Sequence, residues 1–257
     1  MFDLEVPRRD RYACAVLMSK ELSKTQIDRL GDRIKRGQIT DEDSRLLDQY
    51  RRSFAGAYEA VVRIIRDRLE LEPTGRRAKA TSSIVAKLQR EHIRLTQIQD
   101  IAGCRLVVAN IAEQESVIQF LTGLFPKATI IDRRAKPSHG YRAVHVVVNY
   151  GDKLIEIQVR TSLQQLWAEM SEKFSDDIDR SIKYGGGDSR LQEFLQGATK
   201  LIVIAEEEEK EMADTLASLQ SKQKSPEYVQ SFVDVMWERQ EQRRLEIYNF
   251  LKGLKIG

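Results

Sequence analysis

The sequence predicts an α+β fold: a small mixed β-sheet of about four to five strands flanked by helices, with helical N- and C-terminal extensions. Three observations carry this reading. β-branched runs cluster between residues 104 and 161, helical periodicity fills 21–70 and the chain after 162, and a helical pattern separates the first two strands. The chain divides accordingly into an N-terminal helical segment packing on the core (1–72), the core itself (73–182) and a C-terminal helical extension (183–257).

Within the first segment, "TDEDSRLLDQYRRSFAGAYEAVVRIIRDRL" opens on Thr40 as an N-cap, with Asp43 three residues on. Leu47, Tyr50, Phe54, Tyr58, Val61, Ile65 and Leu69 follow at spacings of three and four, an apolar stripe that faces a core. "EPTG" (72–75) breaks the pattern, and a basic stretch leads into a second helix over about 81–94. The strands are "CRLVVA" (104–109), "TIIDRR" (129–134), "AVHVVVNY" (143–150) and "KLIEIQVRT" (153–161). Tyr150-Gly151-Asp152 joins the last two as a hairpin, and "EQESVIQFLTGLF" supplies the crossover helix. Beyond Ser162 the pattern is helical again, interrupted by a glycine loop, "KYGGGDS" (183–189), and by Pro226. The acidic run in "LIVIAEEEEKEM" reads as a solvated helical face.

Composition narrows the function. The chain has 257 residues, 41% hydrophobic and 32% charged, with a formal charge of +3. That balance suits anionic ligands and is far from the charge density of a duplex-DNA binder. Two cysteines, Cys14 and Cys104, form neither a disulfide framework nor a CxxC pair, which points to a reducing, cytoplasmic setting. The early apolar run "ACAVLM" (13–18) is too short to span a membrane. Three scattered histidines argue against a structural zinc site.

Four stretches carry chemistry. Arg77, Lys79, Ser83 and Lys87 surround the start of the 81–94 helix, with Ser83 and Lys87 on one face; a basic helix N-terminus is a phosphate site, or simply a solvated one. Asp100 stands just ahead of the first strand, where a carboxylate either holds Mg²⁺ beside substrate phosphates or ends a turn. Tyr141 and His145, four apart at period two, share a strand face; they either stack a base or form a half-buried pair. In "KLIEIQVRT", Ile155, Ile157 and Val159 alternate with Glu156, Gln158 and Arg160, so one face is apolar and the other holds a carboxylate, an amide and a guanidinium. The hairpin brings Glu156 and Gln158 toward Tyr141 and His145. Lysines, two acids and an aromatic are what phosphoryl-type transfer from a nucleotide requires.

Taken in order, Arg77-x-Lys79-x3-Ser83-x3-Lys87, Asp100-x4-Arg105, Gly140-Tyr141-Arg142-x2-His145 and Glu156-Ile157-Gln158-Val159-Arg160-Thr161 resemble the RelA/SpoT synthetase domain over about 75–175, and "LWAE" (166–169) continues the likeness. The resemblance implies a nucleotidyltransferase-like synthetase core that moves the β,γ-pyrophosphate of ATP to the 3′-hydroxyl of GDP or GTP, making (p)ppGpp with Mg²⁺. It implies that Arg77, Lys79, Ser83 and Lys87 hold ATP and that Asp100 coordinates Mg²⁺. Glu156 then completes the metal site or deprotonates the hydroxyl. Tyr141 stacks on the acceptor base, with Lys136, His139, His145 and Gln158 on the acceptor side.

Departures from the family pattern matter as well. No His-Asp pair occurs, so the expectation is a short synthetase without hydrolase activity. His139 stands where many guanine-nucleotide members have Asn, and Glu172 and Lys173 follow "WAEMS" where small synthetases often carry His. Toxic short members of the superfamily modify the 3′ end of tRNA instead, and Arg133, Arg134, Lys136, Arg142 and Lys183 are cations that could guide its backbone. Adenosine nucleotides are a further acceptor, and a catalytically silent nucleotide- or RNA-binding module is the reading of another class. The presence of both Asp100 and Glu156 speaks against silence. The terminal helices are open to a homo-oligomer or a neutralising protein partner.

Overall fold

The computed structural model describes residues 22–76, 78–222 and 225–252, so the apolar run at 13–18 lies outside the described residues. The N-terminal part holds α1 (Lys24–Lys35), α2 (Asp41–Arg52) and α3 (Ala55–Leu69). Thr40 caps α2: its hydroxyl accepts from the Asp43 N–H while the Asp43 carboxylate accepts from the Thr40 N–H. The stripe from Leu47 to Ile65 is buried as its spacing implies, but it does not lie on one continuous helix. The chain turns at Ser53, whose hydroxyl donates to the Tyr50 carbonyl at 2.7 Å, and restarts at Ala55. The break lets the Phe54 ring meet Tyr50 edge-on at 5.2 Å while both stay buried.

Five strands form one sheet: β1 (Thr74–Arg76), β2 (Ala102–Val108), β3 (Thr129–Asp132), β4 (Val144–Tyr150) and β5 (Lys153–Thr161), in the order β1-β2-β5-β4-β3. β2 and β5 are parallel and the other pairs antiparallel, which makes the sheet mixed. The β4–β5 hairpin turns on Gly151 and Asp152, with φ of 55° and 62°, the backbone a two-residue hairpin loop requires. α5 (Ile111–Leu124) carries the chain from β2 across to β3 at the far edge. β1 is a short edge strand with no periodic signature of its own, and β3 stops at Asp132, so Arg133 and Arg134 belong to the turn that follows.

Alternation along the central strands divides the sheet into two chemically different faces. Ala102, Cys104, Leu106, Ile155, Ile157, Val159, Val144, Val146 and Val148 form one, packed with α1 to α3, α4 (Thr81–Glu91) and α5 in a continuous apolar core. The other carries Gly103, Arg105, His145, Glu156, Gln158 and Arg160, in register across β2, β5 and β4. α6 (Ser162–Asp177) lies over this polar face, and its apolar side packs with α7 (Ser189–Ser221) and α8 (Pro226–Lys252) in a second core around Trp167 and Phe174. α4 ends at His92 in the left-handed conformation rather than running on to 94. No helix among the described residues is long and apolar enough to cross a membrane.

Ile157 sits fully buried at the centre of the central strand. Ile157→Ala should lower unfolding free energy by about 2–5 kcal/mol, read as a fall in the urea midpoint with an unchanged slope.

Candidate functional site

The site begins with the loop entering α4. The Lys79 N–H donates to the Ile101 carbonyl at 2.6 Å, and Arg51 of α2 donates from Nε to the Lys79 carbonyl at 2.7 Å. The loop is thereby pinned between the N-terminal helices and the entrance of β2. Ala80, the N-cap of α4, offers no side-chain cap, so the first N–H groups of the helix are left for a ligand. Arg77 lies outside the described residues; Lys79, Ala80 and Ser83 line a cavity of about 650 Å³. Its floor is Gly103, Arg105, Glu156 and Gln158, and Glu172 and Asp176 of α6 form the opposite wall.

Asp100 is held by both lysines: Lys79 Nζ donates to Oδ2 at 2.5 Å and Lys87 Nζ to Oδ1 at 2.9 Å. Burial by itself would raise its pKa, but the two ammonium groups outweigh burial and hold the carboxyl below its ordinary value. Glu156 follows the same logic. Burial pushes it up, yet hydrogen bonding by His145, whose Nδ1 is 2.9 Å from Oε1, turns the balance downward, with help from Gln158 Nε2 at 2.8 Å from Oε2.

A second cavity of about 310 Å³ adjoins the first and is lined by Lys87, Arg133, Tyr141, His145, Arg160 and Trp167. Tyr141 precedes β4 rather than lying on it, bridged to Ser138 in a turn, so period two is not what pairs it with His145. The two meet all the same: the Tyr141 hydroxyl is 2.9 Å from His145 Nε2. Arg160 NH2 donates to that hydroxyl at 2.9 Å and to Gln158 Oε1 at 2.8 Å, and its guanidinium lies 5.0 Å from the Tyr141 ring centre. One tautomer satisfies the whole chain: Arg160 donates to Tyr141, Tyr141 to Nε2, and Nδ1–H to Glu156.

The structure therefore unites Lys79, Ser83, Lys87, Asp100, Tyr141, His145, Glu156 and Gln158 around two adjoining cavities. Lys136 and His139 are exposed and line neither; His139 rests against Gly185, where a Cβ would overlap its ring. Two of the five cations set aside for a nucleic-acid backbone are spent internally. Arg142 NH2 donates to Glu206 at 2.5 Å, and Arg134 pairs with Asp132 and Glu115, both at 2.7 Å. Arg105 and Arg160 line the cavities without having been given a role, although the alternation that exposes Glu156 and Gln158 also exposes Arg160. Glu172, Lys183 and Tyr184 come from beyond the sheet; the sequence singles out Lys183 only as a cation for a nucleic-acid backbone and Glu172 only as a departure from the family pattern, and no local pattern marks Tyr184.

Asp100 and Glu156 line both cavities, while no group of three or more His, Cys, Asp or Glu among the described residues is placed to hold a metal alone. Two hard carboxylates fit a Mg²⁺ ion that takes its remaining ligands from phosphate oxygens and water.

A polar, lysine-lined cleft over one face of a mixed sheet, with an uncapped helix N-terminus at its edge, is suited to receive phosphate groups. Residues 76–176 match the family model described as the region found in RelA / SpoT proteins. Uncharacterized proteins of Mycobacterium tuberculosis and Mycobacterium bovis are 38% identical over 125 residues, covering 47% of this chain. The chain spans 45% of the length of these curated relatives. A GTP pyrophosphokinase family protein from Streptococcus pneumoniae superposes with a TM-score of 0.50 at 25% identity, over 73% of this chain and all of that one. The small alarmone synthetase 1 from Bacillus subtilis, in complex with its product pppGpp, gives a TM-score of 0.50 at 22% identity, over 69% of this chain and all of that one. Residues 76–176 thus resemble a RelA/SpoT region, and the fold that holds them is shared with these solved structures.

Two outcomes follow. A Cβ on Gly103 would stand 2.5 Å from the Glu156 carbonyl oxygen, so Gly103→Ala must push β2 and β5 apart at the site; its unfolding midpoint should drop, and nucleotide binding followed by calorimetry should weaken. The second concerns acid stability. The folded-state pKa values of Asp100 and Glu156 lie below their unfolded values, so their ionic contribution is full above the ordinary carboxylate range and is lost as pH falls through the depressed values. Asp100→Asn with Glu156→Gln should flatten the acid limb of a stability profile measured from roughly pH 3 to 7.

Proposed function

We propose that this chain is an ATP-dependent pyrophosphokinase that transfers the β,γ-pyrophosphate of ATP to the 3′-hydroxyl of GDP or GTP, making (p)ppGpp, without hydrolase activity. One observation carries the reading. The two cavities, one built on a phosphate-type helix start and the other on an aromatic and a histidine, meet at Asp100 and Glu156. A donor and an acceptor bound side by side would have their reacting groups at that junction. The RelA/SpoT match over residues 76–176 and the likeness to a GTP pyrophosphokinase family protein support it.

In the proposed reaction the acceptor 3′-oxygen bonds to the β-phosphorus of ATP, the bond to the bridging α–β oxygen breaks, AMP leaves, and the hydroxyl proton passes to Glu156. The Glu156 carboxylate is kept ionised and oriented by His145 and Gln158, as a general base must be. Lys79, Lys87 and the open N–H groups of α4 receive the phosphates. Tyr141, fixed by Arg160 and His145, offers its ring to the acceptor base. Mg²⁺ held by Asp100 would neutralise phosphate charge when bound.

Purified protein given γ-labelled ATP and Mg²⁺, with GDP, GTP, AMP, ADP and deacylated tRNA offered separately, tests the reading. Label should appear on the guanosine nucleotides; transfer only to tRNA or adenosine nucleotides would overturn the acceptor, and no transfer at all would leave a binding module. Glu156→Gln should cut kcat by about 10²–10⁴-fold with little change in ATP affinity, whereas Tyr141→Ala should raise the acceptor KM.

A further inference from the structure

Five residues line both cavities: Asp100, Glu156, Gln158, Glu172 and Lys183. Lys183 is the one cation among them. Lys79 and Arg105 border only the larger cavity, and Lys87, Arg133 and Arg160 only the smaller. Lys79 and Lys87 are engaged by Asp100, and Arg160 by Tyr141, Gln158 and Gln165. Lys183 makes no ion pair among the described residues; its ammonium stands 5.3 Å from the centre of the neighbouring Tyr184 ring.

The backbone beneath this exposed side chain is fixed. Lys183 N–H donates to Ser175 Oγ of α6 at 3.2 Å, and Ile182 is buried in the second core. Gln192 of α7 donates from Nε2 to the Ile182 carbonyl at 2.8 Å and to the Gly186 carbonyl at 2.7 Å. The Arg90 guanidinium of α4 lies 4.2 Å from the Tyr184 ring centre, tying the short 3-10 turn (Ile182–Tyr184) to the donor-side helix. A pinned backbone thus carries an exposed ammonium to the seam between the cavities. Glu172 and Asp176 on the α6 wall repel an anion from that side, and Lys183 is the cation that faces both cavities.

We propose that Lys183 contacts the pyrophosphoryl group as it crosses from donor to acceptor, a role that rests on the transfer reading above. Lys183 gains and loses no atom in that step; the 3′-oxygen bond forms, the bridging bond to AMP breaks, and the ammonium offsets charge that is concentrated at the seam only during transfer. Removing it therefore acts on kcat more than on the KM for ATP.

The test pairs a binding measurement with kinetics. Inorganic pyrophosphate is titrated calorimetrically into wild type, Lys183→Met and Lys183→Arg, and the same proteins are assayed with labelled ATP. The expected result is pyrophosphate binding weakened about tenfold in Lys183→Met and kcat lowered about 10²-fold. The KM for ATP should stay within about threefold, the melting temperature should be unchanged, and Lys183→Arg should recover most of both losses. Wild-type pyrophosphate affinity in Lys183→Met, or a loss confined to the KM for ATP, would overturn the proposal. If wild type transfers nothing to any acceptor, the transfer reading fails, and the pyrophosphate titration alone still decides whether Lys183 binds the group.

Discussion

The constraint on which the rest depends is the position of β5. It is hydrogen-bonded along both edges, to β2 and to β4, so its side chains have only the two faces of the sheet to occupy. Ile155, Ile157 and Val159 close the main core from one side, and Glu156, Gln158 and Arg160 form the floor of the cleft on the other. A slip of one residue would bury a carboxylate and a guanidinium in the apolar core and lift three aliphatic side chains into the cleft. The register of the site is therefore enforced by the same energy that holds the fold together.

Charge in the cleft is balanced from several elements at once. Asp100 comes from the entrance to β2, Lys79 from a loop braced by Arg51 of α2, and Lys87 from α4. The N-terminal helices thus do more than cover the sheet: Arg51 holds the backbone on which Lys79 is carried. An ion pair this sheltered gains little net stability, because desolvation consumes much of its Coulomb attraction. What it supplies is preorganisation, keeping two ammonium groups where phosphate is expected.

The Tyr141 side of the cleft is secured by a buried polar network. Arg142 pairs with Glu206 of α7, Glu206 accepts from Gln164 of α6 at 2.6 Å, and Gln164 accepts from Gln114 of α5 at 2.9 Å. Gln114 in turn reaches the Val159 carbonyl at 2.8 Å and receives Arg134 at 3.1 Å. Four elements are locked together through groups that would be expensive to leave unsatisfied. Helix α7 is consequently part of the framework that positions Tyr141 and the turn before β4.

The sequence by itself determined the class of fold, the hairpin, the crossover helix and the two-faced character of β5, because each follows from local periodicity or turn chemistry. It also marked Lys79, Lys87, Asp100 and Glu156, whose residue types and spacing already suit phosphate and metal chemistry. Only the tertiary structure decided the rest. The short β1 depends on a partner distant in the chain. Arg134 and Arg142 look like surface cations until Asp132, Glu115 and Glu206 claim them, and Lys183 looks like another until the turn that bears it is folded against α6, α7 and α4. A charge is defined by its type in the sequence, but its function depends on which groups are left to face it, and that is settled only when the elements pack.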